Sequence, residues 1–204
     1  MGHGKYGLKD KLLRIMKNRR SIRKFSKKPV SLETICRILE AGRLAPSGAN
    51  MQPWIYVVVT DDELKEKIRE EAEKVERDYH RNAPDQLRRW LNEQRITPEK
   101  SFLTEAPVLI VVAGLIKAPY WFESTWISIA YLLLSIETHN LGTTTYTPVE
   151  MGFLNKLLDI PHDYCPVVIM PIGESLEKPS YENLARKPLE KVIHLNRYGN
   201  RKNI

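Results

Sequence analysis

Residues 45–54, APSGANMQPW, join a helical pattern to a strand pattern and decide the fold of this 204-residue chain. Pro46 ends the helix, so the backbone N–H groups that follow it are free to donate to a ligand, and a glycine permits close approach. An ordinary helix-to-strand loop is the alternative. A nucleophilic serine is not expected, because the G-x-S-x-G elbow is missing. The candidate ligand-binding residues of the turn are Ser47, Gly48, Ala49 and Asn50.

Upstream, residues 19–25, RRSIRKF, place three guanidinium groups and a hydroxyl within five positions. Guanidinium forks bind phosphate oxygens bidentately, so this spacing is typical of a phosphate site. The alternative is that arginines collect here because cations are favoured at the C-terminal end of a helix. The candidate phosphate ligands are Arg19, Arg20, Ser21 and Arg23.

The length and periodicity of the chain predict one domain over residues 1–204. Residues 61–105 are charged, helix-forming and interrupted by two prolines, so we expect helices that lie over the core. Outside that segment, the patterns predict helices over 8–18, 32–44, 121–140 and 149–158, with Ser31 as an N-cap, and strands over 54–60, 107–114, 141–147 and 165–173.

Charge and cysteine content bound the function classes. A net charge of +7 admits a basic nucleic-acid-binding protein, although the charges of residues 61–105 alternate in sign as on a solvated surface.

Cys36 and Cys165 lie in apolar contexts and are predicted to be reduced core thiols. Neither a signal-peptide pattern nor an apolar run of about 20 residues is found, so we expect a cytoplasmic protein. The five histidines have no metal-ligand spacing, and no metal is predicted.

Four stretches make the chain resemble the nitroreductase superfamily of FMN-dependent flavoproteins, and within it the iodotyrosine deiodinases. They are RRSIR, APSGA followed by PW, SIAYLLLSIETHNLGTTTYTP and LARKPL, and they span residues 19–189. The resemblance implies an α+β fold with a central mixed, mostly antiparallel sheet flanked by helices. It also implies an intertwined homodimer with FMN at its interface, a helical lid at about 61–105 and a C-terminal arm at about 178–204 that crosses to the partner.

The resemblance assigns roles around the cofactor. Arg19, Arg20, Ser21, Arg23 and Arg186 would hold the FMN phosphate and ribityl chain. Thr145 and Thr147 would approach the flavin ring, with the Thr147 hydroxyl donating to N5 as the catalytic group, since a neutral donor there tunes the cofactor. Plain β propensity also explains a run of threonines.

The resemblance further implies a substrate clamp in the lid, made by a glutamate, a tyrosine and a lysine that bind an amino-acid zwitterion. Counting back from Ala106 assigns the tyrosine to Tyr79 and the lysine to Lys100. The glutamate position holds Val75, but Glu76 shares a helix face with Tyr79 and can substitute for it or point to solvent. The backbone N–H of Ala49 would hold the substrate phenolate.

Three functions follow for testing. The first is FMN-dependent reductive dehalogenation of halotyrosine, or reduction of a similar small aromatic, with electrons from a donor that the sequence does not identify. The alternative is a generic NAD(P)H-dependent nitroreductase or quinone reductase, in which the lid only shields an adaptable pocket. The rival from another class is the basic nucleic-acid-binding protein, whose binding would depend steeply on salt.

Overall fold

A four-stranded antiparallel sheet with helices on both faces forms the centre of the computed structural model, which describes residues 8–177 and 186–201. The strand order is β1-β2-β4-β3, and every pair in it is antiparallel. Ser21 and Thr143 form an isolated parallel bridge, so the strand pairing is mixed but mostly antiparallel. The predicted α+β fold is therefore confirmed. The strands are β1 (Trp54–Val59), β2 (Val108–Leu115), β3 (Gly142–Thr143) and β4 (Tyr164–Gly173).

The helices begin and end close to the predicted positions. Ser31 caps the second helix as expected, with its Oγ accepting from the N–H of Thr34 at 3.1 Å. The predicted excursion over 61–105 becomes two helices and one short helical turn, separated where Pro84 and Pro98 interrupt the pattern. The helices are α1 (Leu8–Asn18), α2 (Leu32–Arg43), α3 (Asp62–Asn82), α4 (Asp85–Glu93), α5 (Phe102–Glu105), α6 (Trp121–Thr138) and α7 (Gly152–Leu157).

The strand predicted over 141–147 is much shorter than expected, because only Gly142 and Thr143 belong to β3. The segment after β3 nevertheless keeps the same register with β4, because Tyr146 forms an isolated bridge with Ile169. Between these points that register sets Thr144 opposite Pro171, which has no backbone N–H to donate. The proline therefore interrupts the ladder and leaves residues 144–147 as a partly paired segment.

The two cysteines are free, but they are exposed, so the prediction of core thiols is wrong. Cys36 lies on the outer face of α2, whereas its neighbours Ile35 and Ile38 face the core. The apolar residues around Cys36 belong to a helix with one buried stripe, and Cys36 falls just outside that stripe.

The core has two layers, one on each face of the sheet. Alternate residues of β2 supply both layers: Leu109 and Val111 pack on the side of α3, α5 and α7, while Ile110 and Val112 pack on the side of α2 and α6. The first layer includes Ile68 of α3, which attaches the predicted lid helix to the sheet. None of the helices in the described part of the chain is long and apolar enough to cross a membrane.

Candidate functional site

The arginine segment and the threonine segment meet at one edge of the sheet. Ser21 bridges Thr143, and the N–H of Ile22 donates to the Thr143 carbonyl at 2.9 Å. Residues 19–23 and 143–147 are far apart in sequence, so this pairing is what brings the predicted phosphate ligands beside the residues predicted to approach the flavin ring.

Positive charge accumulates at this edge. Burial, then the charges of Arg186 and Arg20, hold the pKa of Arg19 below its usual value, and Glu137 opposes that shift. Burial raises the pKa of Glu137, against the nearby charges of Arg19 and Arg20. The charge of Arg186, from the distant C-terminal segment, thus acts on Arg19. Such a concentration of guanidinium groups is suited to a phosphate.

Part of the arginine cluster also serves the end of α1. The Arg20 Nη1 donates to the carbonyls of Lys17 at 2.5 Å and of Arg19 at 2.8 Å, which are among the last acceptors of that helix. Arg20 therefore binds the C-terminal end of α1, which is the alternative that the sequence left open for the arginines. Arg23 is exposed, and its backbone N–H donates to Glu177 at 3.3 Å.

The turn after α2 is held in an unusual backbone conformation. Ala49, Asn50 and Gln52 all have positive φ, at 49°, 54° and 46°. Residues with a Cβ rarely adopt this region, and such strain tends to collect at ligand sites. The turn is stabilised from within, since the Ser47 Oγ accepts from the Gln52 N–H at 2.9 Å. Sequence patterns did not predict this backbone.

The hydrogen bonds of the turn leave the Ala49 N–H available. The Gly48 N–H donates to the Ser124 Oγ at 3.2 Å, and those of Asn50, Met51 and Gln52 donate within the turn. Within residues 8–177 and 186–201, the N–H of exposed Ala49 has no acceptor. That donor can bind a ligand oxygen, as the resemblance requires.

The close approach at Gly48 is to the protein itself. A Cβ added there would lie 2.7 Å from the Tyr120 ring, so packing against the start of α6 already requires a glycine. Asn50 is exposed at the tip of the turn.

Thr145 and Thr147 are exposed, whereas Tyr146 between them is buried. The alternation places both threonine side chains on one side of the segment and the tyrosine on the other. Together with the arginines, their hydroxyls make a donor set that fits FMN: cations for its phosphate, and neutral donors for the polar atoms of its ribityl chain and ring. The Ala49 turn leads into β1, which forms the opposite edge of the sheet from β3.

The lid carries a second polar cluster, which is completed within the chain. The Tyr146 hydroxyl donates to Glu76 at 3.0 Å, and the Lys100 Nζ lies 3.5 Å from the same carboxylate. Both side chains of the ion pair are buried, with exposures of 12% for Glu76 and 8% for Lys100. Glu76 therefore points into the protein and not to solvent. Burial lowers the pKa of Lys100, and the charge of Glu76 partly restores it.

Glu73 is a further lid residue that the sequence patterns missed. Its carboxylate accepts from the Arg69 Nε at 2.7 Å and from the Lys100 backbone N–H at 2.8 Å. Burial raises the pKa of Glu73, but these bonds and the charges of Arg69 and Arg77 outweigh it and hold that pKa below its usual value. The Arg69, Glu73 and Arg77 spacing of four residues was the available signal.

Tyr79 lies outside that cluster. It lines a groove of about 350 Å³ between the C-terminal half of α3, the start of α4 and the residues after Thr147. The structure thus brings Glu76 and Lys100 together and places Tyr79 on the neighbouring groove with Val75. The groove is lined by Val75, Asp78, Tyr79, Asn82, Ala83, Pro84, Leu87, Val149 and Glu150.

His80 completes the inner face of α3. Its Nε2 is 3.9 Å from Glu76 and is buried without a hydrogen bond to the described residues. A search of the same residues finds no group of three or more histidine, cysteine, aspartate and glutamate side chains that could hold a metal ion.

Comparisons with known proteins agree with the fold and with FMN as the cofactor. The model of the nitroreductase family matches residues 16–174. An iodotyrosine deiodinase of Thermotoga neapolitana is 39% identical over 168 residues, which cover 82% of this chain and 90% of that protein. One from Haliscomenobacter hydrossis is 35% identical, covering 87% and 85%. A crystal structure of oxidized iodotyrosine deiodinase bound to FMN and 3-iodo-L-tyrosine superimposes with a TM-score of 0.83 at 36% identity, covering 93% of this chain and 99% of that one.

Proposed function

The chain belongs to the nitroreductase family, and we propose that it is an FMN-dependent reductive dehalogenase that acts on halotyrosine or a similar small aromatic. The observation that carries the proposal is the bridge between Ser21 and Thr143. It joins the guanidinium cluster to the exposed threonines, and so supports one elongated site with a phosphate at one end and a ring at the other.

FMN supplies the electrons of the reaction: two electrons and one proton replace the carbon–halogen bond by a carbon–hydrogen bond and release halide. The chain's own residues bind and orient. Arg19 and Arg186 would neutralise the phosphate, and the Thr147 hydroxyl would donate at the flavin ring. The Ala49 N–H lies beyond the opposite edge of the sheet, so it would orient the substrate phenolate across the proposed dimer interface. The strained turn aims the Ala49 donor before the ligand arrives, so little ordering remains to be done on binding.

A zwitterionic substrate would have to exchange partners with the lid. Glu76 and Lys100 already neutralise each other, so the substrate ammonium would take the place of Lys100 at Glu76, and the substrate carboxylate would take the place of Glu76 at Lys100. A buried charge must stay paired through such an exchange. Tyr79, on the adjacent groove, is suited to contact the aromatic part.

The functional unit is proposed to be a homodimer. In the single chain, α6 exposes Phe122, Ile127 and Tyr131 by 40–48%, and α1 exposes Leu12 and Leu13 to a similar degree. Exposed large apolar side chains of this kind are typical of a subunit interface. Leu189, Val192 and Leu195 of the C-terminal segment are also exposed, which supports an arm that crosses to the partner. Leu184 of the predicted arm lies outside the described residues. The cytoplasmic location stays a prediction.

Anaerobic turnover tests the function. The FMN-loaded protein, reduced with dithionite, is expected to release iodide from 3-iodotyrosine, and titration with 3-iodotyrosine is expected to quench the flavin fluorescence. Absence of both effects would contradict the proposal. Steady oxidation of NAD(P)H with nitroaromatics, faster than any dehalogenation, would favour the generic nitroreductase.

The substrate role of the lid needs a separate comparison. Lys100→Ala is expected to weaken 3-iodotyrosine binding while FMN stays bound, and Lys67→Ala, at an exposed position of α3, is the matched control. Loss of FMN from the Lys100 variant would show instead that Lys100 supports the cofactor.

A further inference from the structure

We propose that Tyr146 is a positioning residue, which holds Thr145 and Thr147 toward the flavin by attaching their segment to the lid carboxylate Glu76. The inference rests on the proposed function, since it takes the flavin to lie against these threonines. Tyr146 itself is buried and does not line the flavin side.

The backbone of Tyr146 is attached to the sheet on one side. Its N–H donates to the Ile169 carbonyl at 3.0 Å, and its carbonyl accepts from the Ile169 N–H at 2.9 Å. Among the described residues, Thr144 and Thr145 just before it have no backbone bond to β4, and Thr144 stands opposite Pro171, which has no N–H to donate. Tyr146 is therefore the point at which this segment regains its orientation.

The side chain of Tyr146 is attached to the lid on the other side. Its ring meets Phe102 edge-on, with centroids 5.5 Å apart, and the Lys100 Nζ stands 5.8 Å from its ring centre. Its hydroxyl donates to Glu76 at 3.0 Å. These contacts come from α3, from α5 and from the segment just before α5, all of them parts of the predicted lid.

The bond from Tyr146 to Glu76 is charge-assisted and directional. Burial, and then the charge of Glu76, raise the pKa of Tyr146, so the hydroxyl keeps its proton and remains a donor. Hydroxyl-to-carboxylate bonds are about twice as strong as neutral ones. Because adjacent side chains of an extended segment point to opposite sides, holding the tyrosine inward holds both threonines outward.

The decisive measurement is the midpoint potential of bound FMN without substrate. Tyr146→Phe keeps the ring against Phe102 and removes only the hydroxyl. We expect it to shift the potential in the same direction as Thr147→Ala and by at least half as much, with the FMN dissociation constant changed by less than about threefold. We expect the double variant to shift no further than Thr147→Ala alone, because residues that act as a unit are not additive.

Two comparisons separate positioning from simple stability. Tyr56→Phe removes a similar half-buried hydroxyl, bonded to Ser128 at 2.5 Å on the other face of the sheet, and is expected to lower the melting temperature without moving the potential. Glu76→Gln keeps an acceptor for the hydroxyl and is expected to keep the potential, whereas Glu76→Ala is expected to shift it as Tyr146→Phe does.

The outcomes are distinct. If Tyr146→Phe and Glu76→Ala lower only the melting temperature, as Tyr56→Phe does, the positioning role is wrong while the proposed function stands. If Thr147→Ala changes neither the potential nor the FMN affinity, the placement of the flavin is wrong and the inference falls with it. Should Tyr146→Phe fail to fold, the pair Glu76→Gln and Glu76→Ala decides the result alone.

Discussion

The flavin side of the molecule and its lid are both rich in polar groups, but in the described part of the chain their charges are paired differently. Around Arg19, like charges gather against one carboxyl, and both exposed threonines face outward. In the lid, Glu73 and Glu76 are buried and paired.

The two regions therefore use charge in different ways, one to bind a ligand and the other to hold elements of the fold together. A set of donors that the described chain leaves without acceptors is suited to a ligand, because binding it adds interactions without breaking any. A buried pair that is already complete holds elements together, and substrate can use it only by replacing a partner. The arginine and threonine edge is therefore suited to the proposed FMN, whereas the Glu76 cluster holds α3 to Lys100 and Tyr146.

Arg19→Ala is the variant with the largest expected effect. Loss of a charge-assisted, bidentate contact is expected to weaken FMN binding on the order of 100-fold, or about 3 kcal/mol. Arg37→Ala, at an exposed ion pair on α2, is the control. Fluorescence titration of the apoprotein with FMN measures both. The apoprotein is not expected to lose stability, since the variant removes repulsion with Arg186. An unchanged FMN affinity would remove Arg19 from the site.

Glu73→Ala tests whether the buried cluster of the lid stabilises the folded chain. It leaves the Arg69 guanidinium and the Lys100 N–H without their acceptor, and is expected to lower the free energy of unfolding by about 2 kcal/mol. Urea unfolding measures the loss, with exposed Glu70→Ala as the control on the same helix. Equal losses in the two variants would show that the buried cluster does not hold the lid.

Acid should loosen the lid as Glu73 takes up a proton. The pKa of Glu73 is held below its ordinary value of 4.5 in the folded state. Its stabilising contribution is thus complete above the unfolded pKa and is lost as pH falls through the folded pKa. Unfolding free energies between about pH 6 and pH 3 should fall more steeply for the unsubstituted protein than for Glu73→Gln. Parallel curves would contradict this.

Arg81→Ala has the smallest expected effect. Arg81 and Asp78 form an ion pair at 3.4 Å on the solvent side of α3, where both side chains are exposed. Exposed pairs of this kind contribute less than about 0.5 kcal/mol, so urea unfolding should barely change. A loss as large as that of Glu73→Ala would mean that burial is not what distinguishes the lid cluster.

Much of the fold was predictable, because periodicity and helix signals are local. The N-cap at Ser31, the interruptions at Pro84 and Pro98, and the alternation of β2 all follow from neighbours in sequence. The length of β3 did not, since it depends on Pro171, which stands across the ladder. The exposure of Cys36 depends on where the stripe of α2 meets the sheet.

The sequence by itself predicted the residue types of the site: guanidinium groups for a phosphate, a turn with donors, threonines for a ring, and a lid with Tyr79 and Lys100. Tertiary structure alone decided which groups meet. It set Ser21 beside Thr143 and brought Arg186 to Arg19, and it directed Glu76 to Tyr146 and Lys100 while Tyr79 faces a separate groove. The reason is physical: residue types carry donors and charges, but whether those are satisfied depends on partners that lie far away in the chain.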